Sequence, residues 1–187
     1  MTTILDHEIR REGGLALRVN GSLLAVGRRP ALAELNPALR GVALSDSPVL
    51  VQAEPQDANL IIERIHTLGR RSEMPSRTCH TDVDAVVLLD AIHSSGDVKP
   101  DALGSWALFN VHWWSETKQK ELAGVLEELD EGRLHGRLRH ERIPRVVVAM
   151  SPELKSSRLI PVLDQRLNYF HISVSEHRGR GGKHASS

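Results

Sequence analysis

The chain has 187 residues and a mass of 20.7 kDa, enough for one ordinary domain with its own core. Hydrophobic residues make up 40% and charged residues 26%, a globular balance, and 24 Lys and Arg against 24 Asp and Glu leave no net field to draw nucleic acid or a membrane. The single cysteine, Cys79, excludes a disulfide framework and a cysteine zinc cage, no apolar run approaches the ~20 residues of a membrane span, and the opening MTTILDHEIRREGG has no signal-peptide core, so a cytoplasmic location is expected.

Residues 1–23 read as a charged lead-in followed by a hairpin. Two apolar runs in LALRVNGSLLAV, residues 15–26, flank Asn20-Gly21, a type I′ turn signal in which glycine supplies a positive φ. Residues 30–39 predict a helix from Leu32, Leu35 and Leu39 at helical spacing. Residues 48–51 are a continuous apolar run suited to a buried parallel strand, and residues 60–68 form an amphipathic helix on Leu60, Ile61, Ile65 and Leu68. The alternation continues with a strand at 76–79, a helix at 83–93, a loop at 96–104 and a strand at 106–111. A helix at 116–129 carries Leu122, Val125, Leu126 and Leu129 on one face; RVVVAM at 145–150 is the strongest strand, and 169–174 the last. Strands separated by helices need right-handed crossovers, which predicts an α/β fold, a three-layer parallel sheet with helices on both faces and an N-terminal β-hairpin. Residues 176–187, rich in Gly, Ser and Arg, predict a disordered tail.

In such a sheet ligands bind beyond the carboxyl ends of the strands, which directs attention to the loops after Val51, Val111 and Met150. VLVQAEPQDANLIIERIH, residues 49–66, resembles the phosphate-loop segment of the sigma-54-dependent transcriptional activators, which are AAA+ ATPases; there the strand runs into Gly-Glu-x-Gly-x-Gly-Lys-Glu. Residues 104–129 resemble their Walker B strand and Leu-rich helix, and RVVVAMSPEL resembles the sensor strand Ile-Ala-Ala-Thr-Asn-x-x-Leu. LDQRLNYFHISV resembles Leu-Tyr-Tyr-Arg-Leu-Asn-Val-Phe-Pro-Ile. The ordered series spans residues 24–175 and implies an AAA+ or P-loop NTPase-like core, here without the helical lid, with a role in transcriptional regulation or signalling.

The departures bear on chemistry. A phosphate loop needs glycines so that backbone N–H groups wrap the phosphates, and a lysine for the β and γ charges. Residues 53–59 contain neither; Glu54 and Asp57 put negative charge in that position, Pro55 removes a donor, and Asn59 stands near the end of the segment. The positions matching the Walker B Asp-Glu pair are Asn110 and Val111, and Val111 offers no base. The sensor Asn is matched by Ser151. Of two arginines that a neighbouring subunit supplies in the family, one position matches Arg166 and the other Ile160. The sigma-contacting Gly-Ala-Phe-Thr-Gly-Ala motif is absent.

These residues predict a pseudo-ATPase with no catalytic residue, metal or cofactor, acting as a regulatory or scaffold protein on another protein such as an AAA+ subunit or regulator. Trp113 and Trp114 are candidate partner contacts, with Arg137 and Arg139 on the Arg-rich stretch 133–145, while Trp106 and Phe109 are candidate core beneath the lost nucleotide pocket. Cys79, His80 and Asp82 do not form a nucleophilic dyad, because neighbours on a strand point to opposite faces. Two alternatives stay open: an ATP-binding, magnesium-dependent ATPase of the sigma-54 activator type with atypical site residues, and a small nucleic-acid-binding protein using the Arg-rich hairpin.

Overall fold

The computed structural model describes residues 14–19, 22–28, 36–93, 103–134, 143–152 and 159–175. Strands β1 (Gly14–Val19) and β2 (Ser22–Arg28) precede helix α1 (Asn36–Leu44). Five strands then alternate with helices: β3 (Val49–Gln52), α2 (Pro55–Leu68), β4 (Ser76–Cys79), α3 (Val86–His93), β5 (Ser105–Phe109), α4 (Glu116–Leu134), β6 (Arg145–Met150), α5 (Pro161–Leu167) and β7 (Phe170–Ser175). The seven strands make one sheet in the order β2-β1-β7-β3-β6-β5-β4. From β7 to β4 every pairing is parallel, whereas β1 pairs antiparallel with β7 and with β2.

Strand alternation sorts the core into two layers. Val49, Val51, Ala107, Phe109, Val147 and Ala149 pack with Leu39 and Val42 of α1 and Ile61 and Ile65 of α2. Leu50, Trp106, Leu108, Val146, Val148 and Met150 pack with α3, α4 and α5 through Leu88, Leu122, Leu126 and Leu163. Both faces of the central strands are buried, which is why VLV, WALF and VVVAM read as unbroken apolar runs. On α2, Ala58, Ile61, Ile62 and Ile65 are buried at helical spacing, each large side chain contributing about 1.5–3 kcal/mol.

The two strands of the predicted hairpin pair and extend this same sheet, the Asn20-Gly21 turn lies outside the described residues, and residue 23, the expected end of the lead-in and hairpin segment, lies inside β2. A register shift between Leu17 and Arg18 bulges the β1–β2 ladder and twists this edge of the sheet. Other expectations are corrected. A helix is described over 36–44, continuing past the expected end at 39, while residues 30–35 of the expected helix lie outside the described residues; α2 starts at Pro55 rather than at 60, β5 stops at Phe109 rather than 111, and α4 continues to Leu134. Helix α5, with Leu163 and Leu167 buried, has no counterpart in the sequence-based expectation. Most of the loop expected at 96–104, and the tail 176–187, lie outside the described residues. Among the described residues no helix is long and apolar enough to cross a membrane.

A buried charge cluster holds the amino end of the sheet. Arg71 pairs with Asp46 at 2.7 Å and donates from Nε to Ile143 O at 2.6 Å, while Arg145 donates from Nη2 to Val42 O at 2.7 Å in the last turn of α1. Burial, and then the Arg71 charge, push the Arg145 guanidinium down to about 10, against the pull of Asp46.

Candidate functional site: the carboxyl edge of the sheet

The ends of β3, β6 and β5 are stitched together by backbone bonds that continue past the strands. Ala53 N donates to Met150 O at 3.0 Å, and Asn110 N donates to Ala149 O at 3.1 Å. Only Ala53 and Glu54 separate β3 from α2, so the seven-residue loop expected at 53–59 is not a loop: Pro55, Asp57 and Asn59 are helical. The local cause is legible. Pro55 at the first helical position has its φ preset and lacks the N–H that would be orphaned there, and Asp57 sits in the first turn against the positive end of the helix dipole. Ala58 N closes the first helical bond onto Glu54 O at 2.8 Å. A phosphate needs several N–H groups converging on one point; here one donor is spent on Met150 O and another is missing at Pro55.

Beyond β5 the backbone turns sharply. Asn110 is in the left-handed region, φ 59° and ψ 28°, which Asn tolerates better than most residues. Its carbonyl accepts from Trp113 N at 2.8 Å, closing the short 3-10 turn Val111–Trp113. Asn110 and Val111, expected on the strand, therefore stand after it, Asn110 exposed and Val111 buried. The adjacent indoles part company. Trp113 is 65% exposed and stacks obliquely on the ring of the buried His112 at 5.0 Å. Trp114 is 7% exposed inside the layer of α3 to α5, its indole N–H without a hydrogen-bond partner among the described residues. Its expected place on a binding surface is thus corrected to the core. Gln119 fixes this corner, donating to Trp114 O at 3.2 Å and accepting from Ile160 N at 3.0 Å.

Topology brings Glu54, Pro55, Asp57, Asn110, Val111, Ser151 and Trp113 to one edge of the sheet. Arg166 is elsewhere, near the amino edge, where it pairs with Glu127 at 2.7 Å and reaches Asp130 at 3.9 Å. Arg137 and Arg139 lie outside the described residues. Trp106 and Phe109 are both buried, but Trp106 is level with Arg77 near the amino end of β5, under the Arg77 guanidinium at 5.2 Å. Only Phe109 reaches the carboxyl end, in the opposite layer from Trp106, with the His80 ring 5.1 Å away.

Cys79 is 3% exposed, and burial, then the Asp84 charge, raise its thiol to about 11, so the thiol form dominates near neutral pH. Asp84 is committed to a turn, its Oδ2 accepting from His80 N and Thr81 N at 3.1 Å each. Among the described residues no three His, Cys, Asp or Glu side chains gather as metal ligands. Sequence reasoning missed the groove at the amino edge, about 500 Å³, whose walls include Pro48, Asp130, Val162, Arg166 and Tyr169.

A five-stranded parallel core flanked by helices is also the architecture of solved structures. The P-loop NTPase domain of a sigma-54 transport activator from E. coli superposes with a TM-score of 0.53 at 18% identity, covering 80% of this chain and 98% of that one. The fold is that of a P-loop NTPase. NtrX from Brucella abortus matches in its ADP complex (TM-score 0.53, 20% identity) and in its ATP complex (0.54, 19%), with 81% and 83% of this chain covered. The chain spans 37% of the length of NtrX. No protein-family model and no curated protein sequence matches the chain. In this chain the segment from β3 into α2 contains no glycine and no lysine.

Proposed function

We propose that this chain is a non-catalytic regulatory or scaffold protein, a P-loop NTPase fold derived from a sigma-54 activator AAA+ domain that acts through protein–protein contact in transcriptional regulation or signalling. The observation that carries the reading is the direct passage from β3 into α2 through Ala53 and Glu54, with the Ala53 N–H already bonded to Met150 O. Phosphoryl transfer is stabilised by lysine, metal and arginine acting together, and losing one such group typically costs about 10²–10³ in rate. Here the lysine and both Walker B acids are replaced, and Arg166 is engaged by Glu127 and Asp130. Trp113 is the candidate anchor for a partner at the carboxyl edge, since interfaces concentrate their energy in a few Trp, Tyr and Arg residues.

Thermal unfolding of the purified protein with and without millimolar ATP and magnesium tests the reading. A ligand at 100 times its Kd stabilises the native state by ~2.7 kcal/mol, so a binding site announces itself as a raised Tm. The expected result is no shift. A magnesium-dependent rise in Tm would establish the second reading, an ATP-binding protein with atypical site residues, which the likeness to NtrX in complex with ADP and ATP favours.

A further inference from the structure

The sheet has two lateral edges, and they are built differently. On one side it ends in β4, four residues of which Ser76 and Thr78 are exposed, a short polar edge that offers a foreign strand little to pair with. On the other side it ends in β2, seven residues from Ser22 to Arg28 and the longest strand described. Among the described residues β2 pairs with β1 alone. Its sequence, SLLAVGR, holds no proline and no lysine, the residues that commonly blunt an edge, and its single charge is the last residue. The register shift falls at Leu24, since Leu17 pairs with Ala25 and Arg18 with Leu23; beyond it Ala25–Arg28 runs in regular register with Gly14–Leu17. An extended strand carries N–H and C=O groups along both sides, so with β1 on one side a row of them faces away from the sheet.

We propose that β2 pairs antiparallel with β2 of a second copy of this chain, continuing the sheet across a two-fold axis. The chemistry that recognises a row of backbone donors and acceptors is another strand, and every copy brings the same one. Charge sets the direction. β2 carries one positive charge at its C-terminal end and no acidic residue, so parallel pairing stacks Arg28 on Arg28. Antiparallel pairing moves the two guanidiniums to opposite ends of the ladder, each towards the Ser22 end of the other strand. Between those ends Leu23, Leu24, Ala25 and Val26 place apolar residues at positions on both faces of the strand. Such an interface is isologous and closes at two copies, because each spends its β2 and only the short β4 edges remain. It uses no residue of the carboxyl edge, so its failure is distinguishable from failure of the non-catalytic reading.

The test is analytical ultracentrifugation of the full chain across concentrations, joined to amide hydrogen exchange followed by NMR. The expected result is a monomer–dimer equilibrium that goes no further, with the outward-facing amides of Ser22–Arg28 protected in the dimer and exchanging freely after dilution to the monomer. Val26→Lys adds a second positive charge to the edge and should weaken dimerisation about tenfold or more. Its Tm at monomeric dilution separates a weakened interface from a weakened fold; where the variant melts early, the exchange pattern of the wild type decides. A monomer at every concentration overturns the proposal. So does a dimer whose β2 amides exchange alike before and after dilution, or one that a stably folded Val26→Lys leaves equally tight. Protection of the whole of β2 in the dilute monomer would assign the edge to another segment of the same chain and overturn it as well.

Discussion

Trp113 and Trp114 are neighbours in sequence and opposites in environment, at 65% and 7% exposure. The 3-10 turn after the left-handed Asn110 rotates consecutive side chains by about a third of a turn, sending one indole to solvent and the next among Leu122, Leu126 and their neighbours. Trp114→Ala should therefore cost ~3–5 kcal/mol in urea denaturation, whereas Trp113→Ala should stay within ~0.5 kcal/mol. A large loss for Trp113→Ala would mean that its ring is structural and would remove it as a partner anchor. The unpartnered Trp114 N–H is the one polar liability of that burial.

At the scale of elements, the connection from β4 to α3 is held by side-chain acceptors as well as by the buried Ala85. Asp84 accepts from two backbone N–H groups, and Asp84 N donates back to Thr81 Oγ1 at 3.2 Å. Those bonds, the Thr81 ones foremost, hold the Asp84 carboxyl below its ordinary 3.8. A depressed folded value stabilises above the unfolded one and loses that contribution as pH falls through the folded value. The stability gap between wild type and Asp84→Ala should thus be widest at neutral pH and close below pH 3.8, as read by denaturation across pH. The loop after α2 is held by the buried Asp46–Arg71 pair. Asp46→Ala leaves Arg71 and Arg145 buried together without their counter-charge and should cost ~3–5 kcal/mol, the penalty of an uncompensated buried ion. A loss under about 1 kcal/mol would show that water reaches the cluster.

At the scale of the molecule, the hairpin is part of the sheet that carries the site. β1 pairs with β7 over six residues, from Gly14–Ser175 to Val19–Phe170, and covers what would otherwise be the open edge of the parallel core. Removing residues 1–28 should lower Tm and bring concentration-dependent aggregation in light scattering, because β7 then offers an unpaired apolar edge. Unchanged solubility would mean that β7 is protected by something other than the hairpin. The molecule also has two separated surfaces of interest: the carboxyl edge with Trp113, and the groove at the amino edge with Tyr169.

The alternation of buried strands and amphipathic helices was legible in the sequence because both-face burial makes unbroken apolar runs and one-face burial makes a helical stripe; RVVVAM at 145–150 is such a run, buried throughout. The absence of lysine and glycine between Ala53 and Asn59 is likewise a property of the sequence alone. Tertiary structure decided the rest. Pro55 and Asp57 favour a helix start locally, but the anchoring of that start by the Ala53–Met150 bond and by burial of Ala58 is not encoded in local spacing. Which of two adjacent tryptophans faces solvent depended on the turn that Asn110 starts. That Arg166 lies at the far end from Glu54, and that Trp106 lies beneath Arg77 rather than under a nucleotide pocket, followed from strand register, since register fixes height along the sheet and periodicity does not.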